Sequence, residues 1–179
     1  EAIKHLCERA VLLQSGKLVN DGPADNIIRK YISEGHYDNA GVELKDRKDR
    51  RGDGRMVIQR IEFHDIDGNS IARPISGEFL RLDFSYQKRA EIDPRFFCFS
   101  FSIWDENGKM LTGLSSDEMG IKFNDFRDKG VIKATIPNLS LRGGSYKLNF
   151  LCSERPQVNL GGHQRIDEIE NAISFDVIP

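Results

Sequence analysis

The residues best suited to bind a ligand alternate along one stretch of the chain, residues 95–104. With the two-residue period of a β-strand, Ser100, Ser102 and Trp104 share one side of it, and apolar residues share the other. An exposed indole ring can lie against the C–H face of a sugar ring, while hydroxyl groups bond the hydroxyls of the sugar. The stretch is therefore a candidate carbohydrate platform that contains the only tryptophan of the chain.

Two further predicted strands add polar side chains to this platform. Lys147 and Asn149 face outward on one strand, and Ser174 faces outward on the last. The predicted carbohydrate-binding residues are Ser100, Ser102, Trp104, Lys147, Asn149 and Ser174. Taken alone, these residues favour a plainer role for Trp104, which covers a strand end or packs between subunits, as tryptophans often do.

Residues that could catalyse a reaction or hold a metal are present but poorly spaced. Asp105-Glu106 is a carboxylate pair of the kind that glycosidases use, yet neighbouring turn residues are usually solvated. Ser115-Ser116-Asp117 lacks the Gly-x-Ser-x-Gly turn of a nucleophile, and Asp65 to Asn69 lacks the later Glu of a calcium loop. The 4 histidines are scattered without ligand spacing. We therefore predict no catalytic residue, no metal site and no cofactor in this chain.

Apolar alternation after residue 55 predicts about seven strands separated by turns. Without long helices between them, these strands predict an all-β fold, an immunoglobulin-like antiparallel β-sandwich. A Greek-key order places the strands in two sheets, one of 95–104, 110–114, 145–153 and 171–178, the other of 56–64, 79–87 and 131–137. Residues 155–170 are predicted to be a loop, and Asn107-Gly108 to form a type I′ turn, in which both residues have positive φ.

The first 54 residues differ from this pattern. Residues 1–34 predict a short α/β segment: a helix over 1–9, strands over 10–13 and 18–20, and a helix from Pro23. Residues 35–54 carry dense mixed charge and predict a solvated linker before a sandwich over 55–179. A basic contact to lipid headgroups or nucleic acid is the alternative for this linker, although its aspartates weaken such a field.

Bulk properties narrow the class of protein. The 179 residues carry a formal charge of -2, which argues against a general polyanion binder. No apolar run approaches the roughly 20 residues that span a bilayer. The 3 cysteines lack metal spacing and predict reduced thiols, with Cys98 outside the core and Cys152 inside it. A chain that begins Glu1-Ala2-Ile3 predicts a piece of a longer protein.

The first segment resembles the end of an ABC-transporter nucleotide-binding domain. The resemblance rests on Ala2 to Leu13, Gly16-Lys17-Leu18, Asp21-Gly22-Pro23 and the helix that follows. The chain contains no GxxxxGK[ST] phosphate loop, so we expect this fragment to lack ATPase activity. ATP and Mg²⁺ are expected only in the full-length protein.

The order of segments resembles one family, the ATP-binding subunits (Wzt type) of O-antigen polysaccharide ABC exporters. Supporting motifs are Ile58 to Phe63 with Asp67-Gly68, Phe99 to Gly108, Gly143 to Leu148 and Ile173 to Val177. The resemblance implies that residues 55–179 bind the terminal, non-reducing end of a lipid-linked O-polysaccharide in the cytoplasm, at the inner membrane of a Gram-negative bacterium. It thereby favours the carbohydrate platform over the plainer role of Trp104.

The same resemblance implies certain partners. They are a membrane-spanning permease and a second copy of the chain, with possible exchange of the terminal strand between copies. Nucleic acid is not expected as a partner. Two alternatives stay open: a dimerisation or protein-interaction sandwich without a glycan ligand, and a regulatory domain that binds a small metabolite.

Overall fold

The structure, a computed structural model, describes residues 7–14, 17–24, 26–27, 41–155 and 164–179. It begins with the predicted hairpin, in which β1 (Arg9–Gln14) pairs antiparallel with β2 (Lys17–Pro23). Ala24, Asn26 and Ile27 are helical, as expected after Pro23. The remainder of that helix lies outside the described residues, as do residues 1–6 of the helix predicted over 1–9. The described end of that predicted helix is wrong, because Cys7 and Glu8 are not helical and Arg9 already begins β1.

Nine further strands in the described residues build two antiparallel sheets. They are β3 (Gly41–Glu43), β4 (Met56–His64), β5 (Ser70–Ile71), β6 (Leu80–Lys88), β7 (Phe97–Asp105), β8 (Met110–Ser115), β9 (Lys129–Ile136), β10 (Gly144–Glu154) and β11 (Gln164–Val177). One sheet has the order β11-β10-β7-β8 and the other β3-β4-β6-β9, with β5 paired to β4. The β-sandwich and the predicted division of its strands between two sheets are confirmed.

The core lies between the two sheets and is rich in phenylalanine. On β7, Phe99 and Phe101 are buried and face the ring of Phe84 on β6, with centroids 4.8 and 5.7 Å away. Phe150 on β10 reaches the same ring at 6.4 Å. Since Phe84 belongs to the opposite sheet, these contacts join the two layers, and edge-to-face aromatic pairs stabilise beyond their buried area.

Cys98 and Cys152 lie on the sides of the sheet that the sequence predicts. Cys152 is fully buried within the core cluster. Cys98 is also buried, but its Sγ lies 3.3 Å from Oδ1 of Asp117, outside that cluster. The three thiols are free, and burial raises the pKa of Cys152 well above its ordinary value.

The last strand is longer than its sequence pattern predicts. We expected a loop up to residue 170, but β11 begins at Gln164 and pairs with β10 from there. Ile166 and Ile169 are fully buried although they stand three residues apart. A register shift opposite Cys152 to Ser153, where Ile166 has no directly paired residue, explains that spacing, and a second shift lies opposite Leu148 to Phe150, beside Asn171 at a φ of 51°. A bulge adds residues to one strand and so breaks the two-residue alternation on which the prediction depended.

The charged stretch before the sandwich packs along the edge of β11. We call residues 44–54 the strap. Arg51 donates its backbone N–H to the carbonyl of Glu168 at 2.9 Å, and Glu168 donates back at 2.8 Å. Gly54 donates to the carbonyl of Ile166 at 2.9 Å. Residues 44–54 of the predicted linker are therefore hydrogen-bonded to the sandwich, unlike a solvated chain. The division of the chain into segments 1–34, 35–54 and 55–179 stays a prediction.

A buried ion pair anchors the strap. Arg50 donates to Oδ2 of Asp167 at 2.5 Å and to the carbonyls of Leu44 and Ile58 at 2.8 and 3.0 Å. Ile58 donates its own N–H to the same carboxylate oxygen at 2.7 Å. Burial nevertheless raises the pKa of Asp167, outweighing the lowering effect of Ile58 and Arg50. The density of charge that indicated a linker thus includes an arginine with a partner in the interior.

The hairpin that joins β7 to β8 differs in detail from the predicted type I′ turn. Gly108 has a φ of 75°, but Asn107 does not have a positive φ. Asp105 instead accepts hydrogen bonds at 2.9 Å from the backbone N–H groups of Asn107 and Lys109. The carboxylate of Asp105, at the start of a loop longer than two residues, thus stabilises the turn without a second residue of positive φ.

Candidate functional site

Strand register brings the predicted platform residues together on the outer face of the four-stranded sheet. Ser102 pairs with Asn149 across β7 and β10. Trp104 pairs with Lys147, which in turn pairs with Ser174 on β11. These pairs form two neighbouring rows across three strands, because directly opposite residues on a sheet point to the same side.

A groove of about 470 Å³ runs over this face. We call it the outer groove. Of the six predicted binding residues, Ser100, Ser102, Trp104 and Asn149 line it, whereas Lys147 and Ser174 lie beside it. The remaining lining residues come from the four strands of this sheet and from the turn after β8: Phe101, Met110, Gly113, Leu114, Ser115, Glu118, Phe150, Leu151, Glu168 and Glu170.

Trp104 is half-buried, and the edge of its ring is held in place. Its indole Nε1–H donates to Oγ of Ser102 at 2.8 Å. The bond satisfies the single donor of the ring. Since Ser102 is the acceptor, its own hydroxyl hydrogen can still be donated to a ligand. Met110, opposite Trp104 on β8, adds an exposed flexible apolar side chain at this end of the outer groove.

Asn149 has a structural partner as well as a place in the outer groove. Its Oδ1 accepts the backbone N–H of Asn171 at 2.7 Å, at the bulge of β11. Because that oxygen is engaged, the side-chain N–H groups are the part of Asn149 best placed to bond a ligand. The side chain of Asn149 therefore connects the bulge of β11 to the outer groove.

Three carboxylates in the outer groove were not among the predicted residues. Glu168 and Glu170 come from the part of β11 that we expected to be a loop, and Glu118 from the turn after β8. Glu168 lies 2.9 Å from Arg165, and Glu170 lies 3.0 Å from Arg51 of the strap. The order of charged and apolar residues over 165–170 does not alternate regularly, and Asp167 is buried, so a two-residue period alone does not indicate which carboxylates face outward.

The other residues considered for catalysis have local partners. Asp105 accepts backbone N–H groups of its turn, as described above. Asp117 accepts hydrogen bonds from Cys98, Ser115 and Arg155, which holds the turn after β8 at the end of the outer groove. His64 lies on the other sheet, 3.4 Å from Asp83. The described residues include no cluster of three or more potential metal ligands.

The fold and the outer groove together define a class, an antiparallel β-sandwich domain with an open groove of aromatic and polar residues on one face. Residues 47–179 match the sequence model of the Wzt C-terminal domain. The chain therefore belongs to the Wzt C-terminal domain family and is a domain of an ABC-exporter subunit.

A solved structure is similar to this chain, the crystal structure of the C-terminal domain of wzt. The two are 19% identical with a TM-score of 0.60, over 73% of this chain and 77% of that chain. At this identity the likeness establishes the fold. Curated protein sequences give no match. Among the described residues, no helix has the length and apolar character needed to cross a membrane.

Proposed function

We propose that the outer groove binds the terminal, non-reducing end of an O-antigen polysaccharide and thereby selects it for export. The observation that most directly supports this proposal is the half-buried ring of Trp104. Ser102 holds the ring in a groove that also contains Ser100 and Asn149. A fixed ring offers an apolar face at little entropic cost, and the hydroxyl and amide groups around it can bond sugar hydroxyls.

The open shape of the outer groove supports binding of a chain rather than an enclosed small molecule. Sugar hydroxyls must give up water to bind, so affinity for each sugar unit is low. Selection from the end of a long polymer then depends on a few well-placed contacts. We infer no catalytic role for this fragment.

The proposed function extends to the full-length protein. There the nucleotide-binding domain hydrolyses ATP with Mg²⁺, pairs with a membrane-spanning permease, and holds this domain in the cytoplasm at the inner membrane. Two copies associate as a homodimer in this proposal. The structure describes one chain, in which β11 pairs with its own β10, and exchange of that strand between copies stays a proposal.

Saturation-transfer NMR with the O-polysaccharide of the source cell tests glycan binding. We expect transfer from the protein to the terminal sugar, and at least a tenfold loss of affinity in Trp104→Ala. Phe96→Ala is the matched control, because Phe96 is also partly exposed but lies outside the outer groove, beneath the guanidinium of Arg95 at 5.4 Å. Equal affinity of a folded Trp104→Ala protein and the wild type would exclude the proposed site.

The second candidate function is a protein-interaction domain without a glycan ligand. Exposed apolar side chains near the β8 and β9 edges favour it: Leu111, Met119, Ile121 and Val131. Contiguous exposed apolar surface is typical of contact sites between proteins. Sedimentation of the wild type and Ile121→Asp separates the candidates, since loss of association without loss of glycan binding assigns the two roles to different surfaces.

A further inference from the structure

The outer groove has an uneven distribution of charge. Its lining includes Glu118, Glu168 and Glu170, and no lysine, arginine or histidine lines it in the part of the chain that the structure describes. Glu168 and Glu170 each have an arginine within 3.0 Å, as given above. Their negative charge is therefore largely compensated locally.

Glu118 is different, because it is exposed and forms no ion pair with any described residue. The turn that carries it is well fixed. Ser116 donates its backbone N–H to the carbonyl of Phe99 at 2.9 Å, and its hydroxyl accepts the N–H of Phe99 at 3.0 Å. Met119 donates to the carbonyl of Ser115 at 3.1 Å. The backbone of Glu118 is thus held at the Ser100 and Ser115 end of the outer groove.

Lys147 is an exposed cation on this face, and it lies at the other end of the outer groove. It is opposite Trp104 in the strand register, two residues along β10 from Asn149, and does not line the outer groove. A lysine therefore lies beside the tryptophan end of the groove, and at the serine end lies Glu118, a carboxylate without an ion pair among the described residues, next to Asp117, which pairs with Arg155.

We propose that the outer groove accepts uncharged or amino-bearing sugars and discriminates against acidic ones, with Glu118 as the specificity-determining residue. This inference rests on the proposed function. A sugar carboxylate or phosphate at the serine end would meet the like charge of Glu118, and this repulsion disfavours acidic sugars there. A hydroxyl or ammonium group there can instead donate a hydrogen bond to the carboxylate.

The test uses the 179-residue chain and a glycan array with matched β-1,4-linked probes. These are neutral cello- and N-acetylchito-oligosaccharides, cationic chitosan oligosaccharides and acidic cellouronate oligosaccharides, beside neutral and acidic bacterial polysaccharides. The wild type should bind its neutral or amino probes at least tenfold more tightly than their acidic counterparts. In Glu118→Gln that ratio should fall to about threefold or less, and 0.5 M salt should reduce it in the wild type.

Glu106→Gln is the matched control, because Glu106 is an exposed glutamate on the β7–β8 turn outside the outer groove. It should leave the ratio unchanged. Equal binding of acidic and neutral probes by the wild type overturns the inference while the proposed function stands. An unchanged ratio in Glu118→Gln overturns the role of Glu118. Failure to bind any glycan overturns the proposed function itself.

Discussion

The indole N–H of Trp104 is bonded to the hydroxyl oxygen of Ser102, two residues earlier on the same strand, at 2.8 Å. Residues two apart on a strand share a face, so the bond lies within the plane of the outer surface. It fixes the edge of the ring and leaves a face for contact. A predicted binding residue thus positions another one.

Ser102→Ala should weaken glycan binding about threefold to tenfold, because the variant loses one neutral hydrogen bond and with it the fixed orientation of the Trp104 ring. Titration by NMR measures the change. Ser85→Ala is the control, since Ser85 lies partly exposed on the opposite sheet. Binding by Ser102→Ala that equals that of the wild type would show that this bond does not prepare the site.

Trp104 is the only tryptophan, so fluorescence of the unmodified protein reports directly on the outer groove. Because the ring is half-buried, acrylamide should quench it readily in the free protein. Saturating O-polysaccharide should shift the emission to shorter wavelength and reduce quenching at least twofold. An emission spectrum that does not respond to bound polysaccharide would place the ligand elsewhere.

Arg50→Met should destabilise the domain by about 3–5 kcal/mol, because it leaves the buried carboxylate of Asp167 without its partner. The exposed fractions of the two side chains are 15% and 0%. For a domain of this size the melting temperature should fall by about 6–20 °C. Arg51→Met is the control: its pair with Glu170 is exposed, and we expect a change within about 1 kcal/mol. Similar losses in both variants would contradict a special role for Arg50.

Gly52→Ala should destabilise the strap. A Cβ at this position would lie 2.5 Å from the carbonyl carbon and oxygen of Ile166, and the φ of 120° is strained for any L side chain. We expect a loss of more than about 2 kcal/mol by denaturant unfolding. Gly68→Ala, with a φ of 84° but open space around it, should cost about 1 kcal/mol. A smaller loss at Gly52 than at Gly68 would mean that the strap does not pack closely on β11.

Asp167 should give the domain a specific pH dependence. Because burial raises its pKa in the folded protein above the ordinary 3.8, the folded state binds more protons than the unfolded state between those two values. Its contribution to the free energy of unfolding therefore falls as the pH rises through that window. The difference in melting temperature between Asp167→Asn and the wild type should therefore move in favour of the variant as the pH rises from the ordinary pKa of 3.8 to the folded-state pKa of Asp167, and it should stay constant above that. The opposite trend would show that Arg50 outweighs burial.

Some features of the structure follow from local sequence alone. Alternation of Phe97 to Ile103 with small polar residues requires one buried and one outer face, since side chains alternate across any strand. The same rule predicts the strands and the outward direction of Ser100, Ser102 and Trp104. These conclusions need no knowledge of which strand lies beside which.

Tertiary structure alone decided the rest. Pairing with β10 through two register shifts makes residues 164–170 part of β11, and this places Glu168 and Glu170 in the outer groove. Arg50 belongs to a charged stretch typical of a linker, yet its partner Asp167 is 117 residues away. Side-chain periodicity reports only on neighbours along the chain. Ion pairs, strand edges and groove linings depend on which distant residues meet, and that is settled by packing of the whole domain.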